Sequence, residues 1–186
     1  MITLLDDAWR WYERARALAL TAQRLAAKHW DELPWEGSLG RDERLNDITA
    51  KMLTDQSATV LEDLDDLGVL LLFSVFEARV RTQVLTEIKT QLPQLQHPAL
   101  GRAVADLQEE IGSGSFFKVL QPYKQFDADL VETVNQVRRY RNWVAHGRHA
   151  DRPDAVESHA AYDRLQRFLD SLGNFVTPAA TDVSSG

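Results

Sequence analysis

The sequence predicts an all-α protein, an up-and-down helical bundle of four or five main helices with short accessory helices. Apolar residues recur every three or four positions along several long stretches, which is the periodicity of helices with one buried face. No strand-like alternation or Asn-Gly hairpin signal competes with that pattern. The length of 186 residues suits one domain with a sizeable core. We therefore expect a single domain over residues 1–175 and a mobile tail of small and polar residues over 176–186.

The first half of the chain predicts two long helices. Helical spacing covers residues 3–29, and the proline and glycines of residues 30–41 predict a loop. Residues 42–57 predict a short helix that ends in a break. Residues 59–92 predict the second long helix, with an interruption at Gly68.

The second half predicts shorter helices that follow this long pair. Residues 98–111 predict a helix and residues 116–123 a helical turn. The next helix should open at Asp127 or Asp129 and run to about His146, and the last should begin at Pro153.

Composition and charge limit the classes of function. There are no cysteines, so neither a disulfide nor a thiolate metal site can form. The formal net charge of −7 argues against a broadly basic nucleic-acid binder. The start of the chain lacks the pattern of a signal peptide, and the apolar stretch 67–76 is too short to cross a bilayer. We expect a cytoplasmic protein with no membrane partner.

No cofactor or metal ion is expected from the sequence motifs. The chain has no glycine-rich phosphate loop. His146 and His149, with the distant His159, lack carboxylates at a spacing useful for a metal ion.

The segment Arg141–Gly147 carries the most informative pattern. Apolar residues on one helical face precede it in steps of three and four, at Leu130, Val134 and Val137. Arg141 takes the next position on this seam, where a guanidinium is costly unless it is paired or faces a polar cleft. His146 follows Asn142 by four residues, so the two share a neighbouring face. Gly147 then predicts the end of the helix.

Arg141-Asn142-x3-His146 resembles the motif of HEPN domains, in which an arginine, a following polar residue and a histidine lie four to six residues apart. The resemblance implies a helical bundle that dimerises and places two copies of the motif in one cleft. It also implies a metal-independent ribonuclease that acts as a toxin or defence effector, although some members of the family have lost the activity. An antitoxin or another regulatory protein is then an expected partner.

RNA cleavage without a metal ion needs a base, an acid and cations, and this segment offers candidates for each. Histidine, with an unperturbed pKa of about 6.5, can accept or donate a proton near neutrality. His146 would therefore transfer protons, Arg141 would stabilise the phosphorane charge and Asn142 would hold the imidazole or the phosphate. Further basic side chains crowd the segment and are candidates for binding the RNA substrate: Arg138, Arg139, Arg148 and His149. A solvated charged turn is the alternative interpretation of this cluster.

Glu77 is the ionisable residue on the apolar seam of the second long helix. It continues the series Leu70, Phe73 and is followed by Val80. Because Glu77 and Arg141 each interrupt an apolar seam, we expect them to meet or to line one polar cleft. A salt bridge that orients Arg141 is favoured over base catalysis, because an ion-paired carboxylate is a poor base near neutral pH.

Spacing alone does not decide between motif copies or between functions. Arg24 and His29 fit the same template, but Leu25 takes the place of the polar companion. Two other functions therefore stay open. The chain could be a non-catalytic helical module that binds RNA or a protein, or an interaction protein whose acidic surface binds a basic partner.

Overall fold

The computed structural model describes residues 4–37, 39–45, 47–91, 98–149 and 151–175. Every regular element in these ranges is helical, which confirms the all-α prediction. The α-helices are α1 (Leu5–Lys28), α2 (Ala50–Gln91), α3 (Pro98–Ser113), α4 (Phe116–Leu120), α5 (Ala128–Ala145) and α6 (Ser158–Phe175). Short 3₁₀ turns lie at Trp30–Glu32, Leu39–Arg41 and Gln121–Gln125. The tail predicted for 176–186 lies outside the described residues.

Helix α2 is the axis of the bundle, and α1, α3, α5 and α6 all contact it. It has 42 residues and is therefore about 63 Å long. Its buried face packs against apolar side chains of α5 and α6. The central core side chains, at most 1% exposed, include Val69, Leu72, Phe73, Phe76, Val80, Val131, Val134, Val137, Leu165, Phe168 and Leu172.

The apolar stretch 67–76 is buried on one side only. Val69, Leu72, Phe73 and Phe76 lie in the core, whereas Leu67 is 50% exposed and Ser74 is also exposed. None of the helices in the described ranges combines the length and the apolar composition that a bilayer crossing requires.

The predicted break before residue 59 and the interruption at Gly68 are wrong, because α2 runs through both positions. Gly68 serves close packing instead. A Cβ atom on Gly68 would lie 2.7 Å from Cδ2 of Tyr12 and 2.8 Å from Oγ of Ser158. The absence of a side chain thus lets α1 and the start of α6 approach α2 closely, and this packing offsets the poor helix propensity of glycine.

Two predicted helix starts are also wrong. Residues 42–45 and 47–49 are not helical, and α2 begins only at Ala50. The last helix begins at Ser158 and not at Pro153. The segment before it is held by tertiary contacts: Val156 is buried, and the Ser158 hydroxyl donates to the backbone oxygen of Asp65 at 2.7 Å. These long-range contacts determine where α6 starts.

Candidate functional site

The C-terminal end of α5 has a backbone geometry that only a glycine-containing turn readily adopts. Gly147 and Arg148 both have positive φ, +78° and +62°. The amide of Gly147 donates to the oxygen of Val144 at 3.1 Å, and that of Arg148 donates to the oxygen of Trp143 at 2.9 Å. These two bonds form a Schellman motif, which satisfies the last carbonyls of the helix. Asp127 is the N-cap of α5, and its side chain accepts a hydrogen bond from the amide of Leu130. The predicted helix stop at Gly147 is thus present.

A cavity of about 400 Å³ lies beside this turn. His146 is exposed at the helix end and lines the cavity. Arg139, Asn142 and His146 reach it from one face of α5, because residues three, four and seven apart share a face. His149 joins them from the turn after the helix. The cavity is completed by Trp143, Asp151 and Pro153.

Arg141 does not line that cavity. Arg141 and His146 are five positions apart, which places them about 140° apart around the helix axis. The guanidinium of Arg141 lies 5.8 Å above the ring of Phe73. Its Nη1 donates to Oδ1 of Asn142 at 3.0 Å. In a single chain, Arg141 and His146 therefore do not face the same cavity. Asn142 connects them, because it accepts a hydrogen bond from Arg141 and also lines the cavity of His146.

The guanidinium of Arg141 keeps unused hydrogen-bonding capacity. Within the described ranges it forms no salt bridge with a carboxylate, and its buried Nε has no hydrogen-bond partner. A buried N–H without an acceptor is costly, so an anionic group that reached this edge of α5 would be favoured.

Glu77 does not pair with Arg141, contrary to the prediction. Its carboxylate binds Arg81, one turn further along α2, with 2.7 Å between Oε1 and Nη2. Arg81 also donates to the backbone oxygens of Ile111 and Gly114. A partner on the same helix at a spacing of four residues was available to Glu77 and took precedence. That spacing, visible in the sequence, is the signal by which Arg81 could have been found.

Two of the candidate substrate-binding residues, Arg139 and His149, line the cavity, and the other two do not. Arg139 is partly neutralised, since its Nη2 lies 2.6 Å from Oε1 of Glu132. Arg138 lies 5.1 Å above the ring of Phe117 and donates to Asn135. Burial and the nearby charge of Arg139 lower the pKa of Arg138.

Arg148 has a structural partner that the sequence reasoning missed. Its guanidinium binds Asp66 on α2, which also accepts a hydrogen bond from the hydroxyl of Tyr140 at 2.6 Å. Arg148 also lies 5.8 Å above the ring of Trp143. Asp66 thus fixes the end of α5 against α2. The sequence offered no signal for this contact beyond a run of acidic residues.

The described residues contain no group of three His, Asp or Glu side chains that could hold a metal ion. Comparisons of the chain with family models, curated proteins and solved structures gave no match.

Proposed function

We propose that the protein is a metal-independent endoribonuclease of the HEPN type, which acts as a toxin or defence effector and has its active site in a homodimer cleft. The observation that carries the proposal is the exposed imidazole of His146 in a cavity with Asn142, Arg139 and His149. RNA is the substrate, and an antitoxin or another regulatory protein is the partner that keeps the activity in check.

In the proposed reaction, one His146 takes the proton of the ribose 2′-hydroxyl, and the oxygen attacks the adjacent phosphorus. A second imidazole donates a proton to the leaving 5′-oxygen. Arg141 binds a non-bridging oxygen as charge develops on the phosphorane. The products are a 2′,3′-cyclic phosphate and a 5′-hydroxyl. DNA is resistant because it lacks the attacking hydroxyl.

Two features of the chain favour a dimeric active site over a monomeric one. One chain supplies a single motif histidine, whereas the reaction needs an acid and a base. Arg141 also lies outside the cavity of its own chain. A two-fold dimer would supply both missing groups from a second copy of the same segment.

A non-catalytic helical module that binds RNA or a protein is the second candidate function. The separation of Arg141 from the His146 cavity favours it, as do the salt bridges of Arg139 and Arg148. Such a module would contact its ligand through the same face without cleaving it.

Incubation of the purified protein with single-stranded RNA in the presence of EDTA separates these functions. We expect fragments with 2′,3′-cyclic phosphate ends, and we expect His146→Ala and Arg141→Ala to abolish them. The matched control is the double variant Arg24→Ala with His29→Ala, which removes the same residue types at the same spacing from the C-terminal part of α1 and its C-cap. This control should cleave as the wild type does.

Circular dichroism must show unchanged helicity in each variant, so that loss of activity reports chemistry. RNA binding without cleavage at high protein concentration would support the second candidate. Cleavage that persists in His146→Ala would contradict the proposed active site.

A further inference from the structure

A second, larger cavity of about 960 Å³ lies between α1, α2 and the segment that precedes α6. Trp143 lines both this groove and the smaller cavity, so the two are neighbours. The groove follows α1 from Trp9 to Leu20, a distance of about 16 Å along the helix. An extended peptide of about five residues has the same length. The groove therefore has room for a short chain segment.

Carboxylates dominate the charge of this groove. Six of its lining residues are acidic and three are arginines, which leaves a net charge of −3 with His159 neutral. Asp66 is occupied by Tyr140 and Arg148, and Asp65 accepts from the hydroxyl of Tyr12. Four other carboxylates have no salt bridge or side-chain hydrogen bond within the described ranges: Glu13, Glu62, Asp63 and Glu157.

These four carboxylates come from three separate segments of the chain and share one space. Glu13 lies on α1, Glu62 and Asp63 lie on α2, and Glu157 lies directly before α6. Repulsion between like charges is relieved when cations enter the groove between them. RNA would be repelled by the same charges, which excludes nucleic acid as the occupant.

The aromatic wall of the groove is also suited to guanidinium groups. Arg148 and Arg152 already lie 5.8 and 5.5 Å from the centre of the Trp143 ring. On α1 the wall contains the partly exposed Trp9, whose ring centre lies 5.2 Å from that of the buried Tyr12. Arginine side chains pack well on exposed rings such as that of Trp9 when carboxylates lie nearby.

We propose that this groove binds an extended basic segment of a partner protein, with at least two lysine or arginine side chains placed among Glu13, Glu62, Asp63 and Glu157. The interaction does not depend on the nuclease activity. It gives the acidic body of the protein a role separate from that of the basic segment at the end of α5.

Fluorescence anisotropy with a labelled heptapeptide of alternating alanine and arginine tests the proposal, at about 0.1 M salt. The double variant Glu62→Gln with Asp63→Asn should bind this peptide about tenfold more weakly than the wild type, because two charge pairs are lost. The matched control, Asp106→Asn with Glu109→Gln, removes the same charge from exposed positions on α3. This control should change the affinity by less than about twofold.

Three results would overturn the proposal: no binding of the arginine peptide to the wild type, equal weakening in both double variants, or displacement of the peptide by an equimolar amount of spermine. The last result would identify a small polyamine as the occupant. If the α2 variant loses helicity, Glu13→Gln with Glu157→Gln replaces it, and the same tenfold loss is expected. If the wild type did not bind the peptide, its RNA cleavage would be unaffected. The proposed nuclease activity and the proposed peptide binding can therefore each fail without the other.

Discussion

The guanidinium of Arg141 donates a hydrogen bond to the side-chain oxygen of Asn142, with 3.0 Å between Nη1 and Oδ1. Asn142 lines the cavity that contains His146, whereas Arg141 packs on Phe73 at the edge of the core. The bond therefore connects two environments that lie on different sides of α5. If the motif is catalytic, Asn142 controls where the guanidinium points.

The variant Asn142→Ala tests this connection. It removes the acceptor for Arg141 and one polar wall of the cavity, and we expect kcat/KM for RNA cleavage to fall at least about tenfold. Thermal unfolding should change little, because the side chain is partly exposed. Gln166→Ala on α6 is the control, since it removes an amide whose one side-chain hydrogen bond within the described ranges is to Asp170. An unchanged kcat/KM in Asn142→Ala would show that the bond has no part in the reaction.

The variant Gly68→Ala tests the close packing at the centre of α2. The added Cβ would overlap Tyr12 and Ser158, so we expect a loss of about 1–3 kcal/mol in the free energy of unfolding. Gly101→Ala on α3 is the matched control, because a Cβ atom added there would meet no neighbouring atom within 4 Å. It should gain about 0.5–1 kcal/mol from helix propensity alone. Urea denaturation measures both, and a gain in Gly68→Ala would contradict the packing described for α1 and α6.

Substitutions at Arg148 test the ion pair that this residue, just after α5, forms with Asp66 on α2. Both Arg148→Ala and Arg148→Gly lose the ion pair and the contact with Trp143. Only the glycine variant relieves the backbone strain at φ +62°. We therefore expect alanine to be less stable than glycine by about 1 kcal/mol, as measured by urea denaturation. Equal stability of the two variants would show that the left-handed backbone carries no strain.

Tyr123 should make the stability sensitive to alkaline pH. Burial, with a smaller effect of the nearby Glu87 charge, raises the pKa of Tyr123 to about 12, whereas an unfolded tyrosine titrates near about 10. The stabilisation that this pKa difference adds to the free energy of unfolding is complete below a pH of about 10 and is lost as the pH rises through about 12. In Tyr123→Phe, the free energy of unfolding should therefore fall less steeply across this range than in the wild type. Identical pH profiles from denaturant unfolding would contradict the assigned cause.

The helices could be predicted because their apolar spacing reflects the core directly. The α5 seam of Val134 and Val137 is buried as expected, and Gly147 ends the helix. The helix starts at Ala50 and Ser158 could not be predicted from local signals. Ser158 is fixed by its bond to Asp65, which lies far away in the sequence.

The partners of the long side chains were harder to predict than the end of α5. The end of α5 at Gly147 was predicted correctly, but the partner of Glu77 was not, because its carboxylate binds Arg81 on the same helix. Periodicity identifies which residues lie on a seam, yet it does not determine which neighbour a long side chain reaches. The ion pair of Asp66 and Arg148 could not be predicted either, because it depends on how α5 packs on α2.

The most direct test of the proposed shared cleft is the RNA cleavage rate of a heterodimer that combines one wild-type chain with one His146→Ala chain. Co-expression with two different affinity tags allows this species to be purified. Because the reaction needs one imidazole as base and another as acid, we predict a rate close to that of the His146→Ala homodimer. A heterodimer that keeps half or more of the wild-type rate would contradict an active site built from both chains.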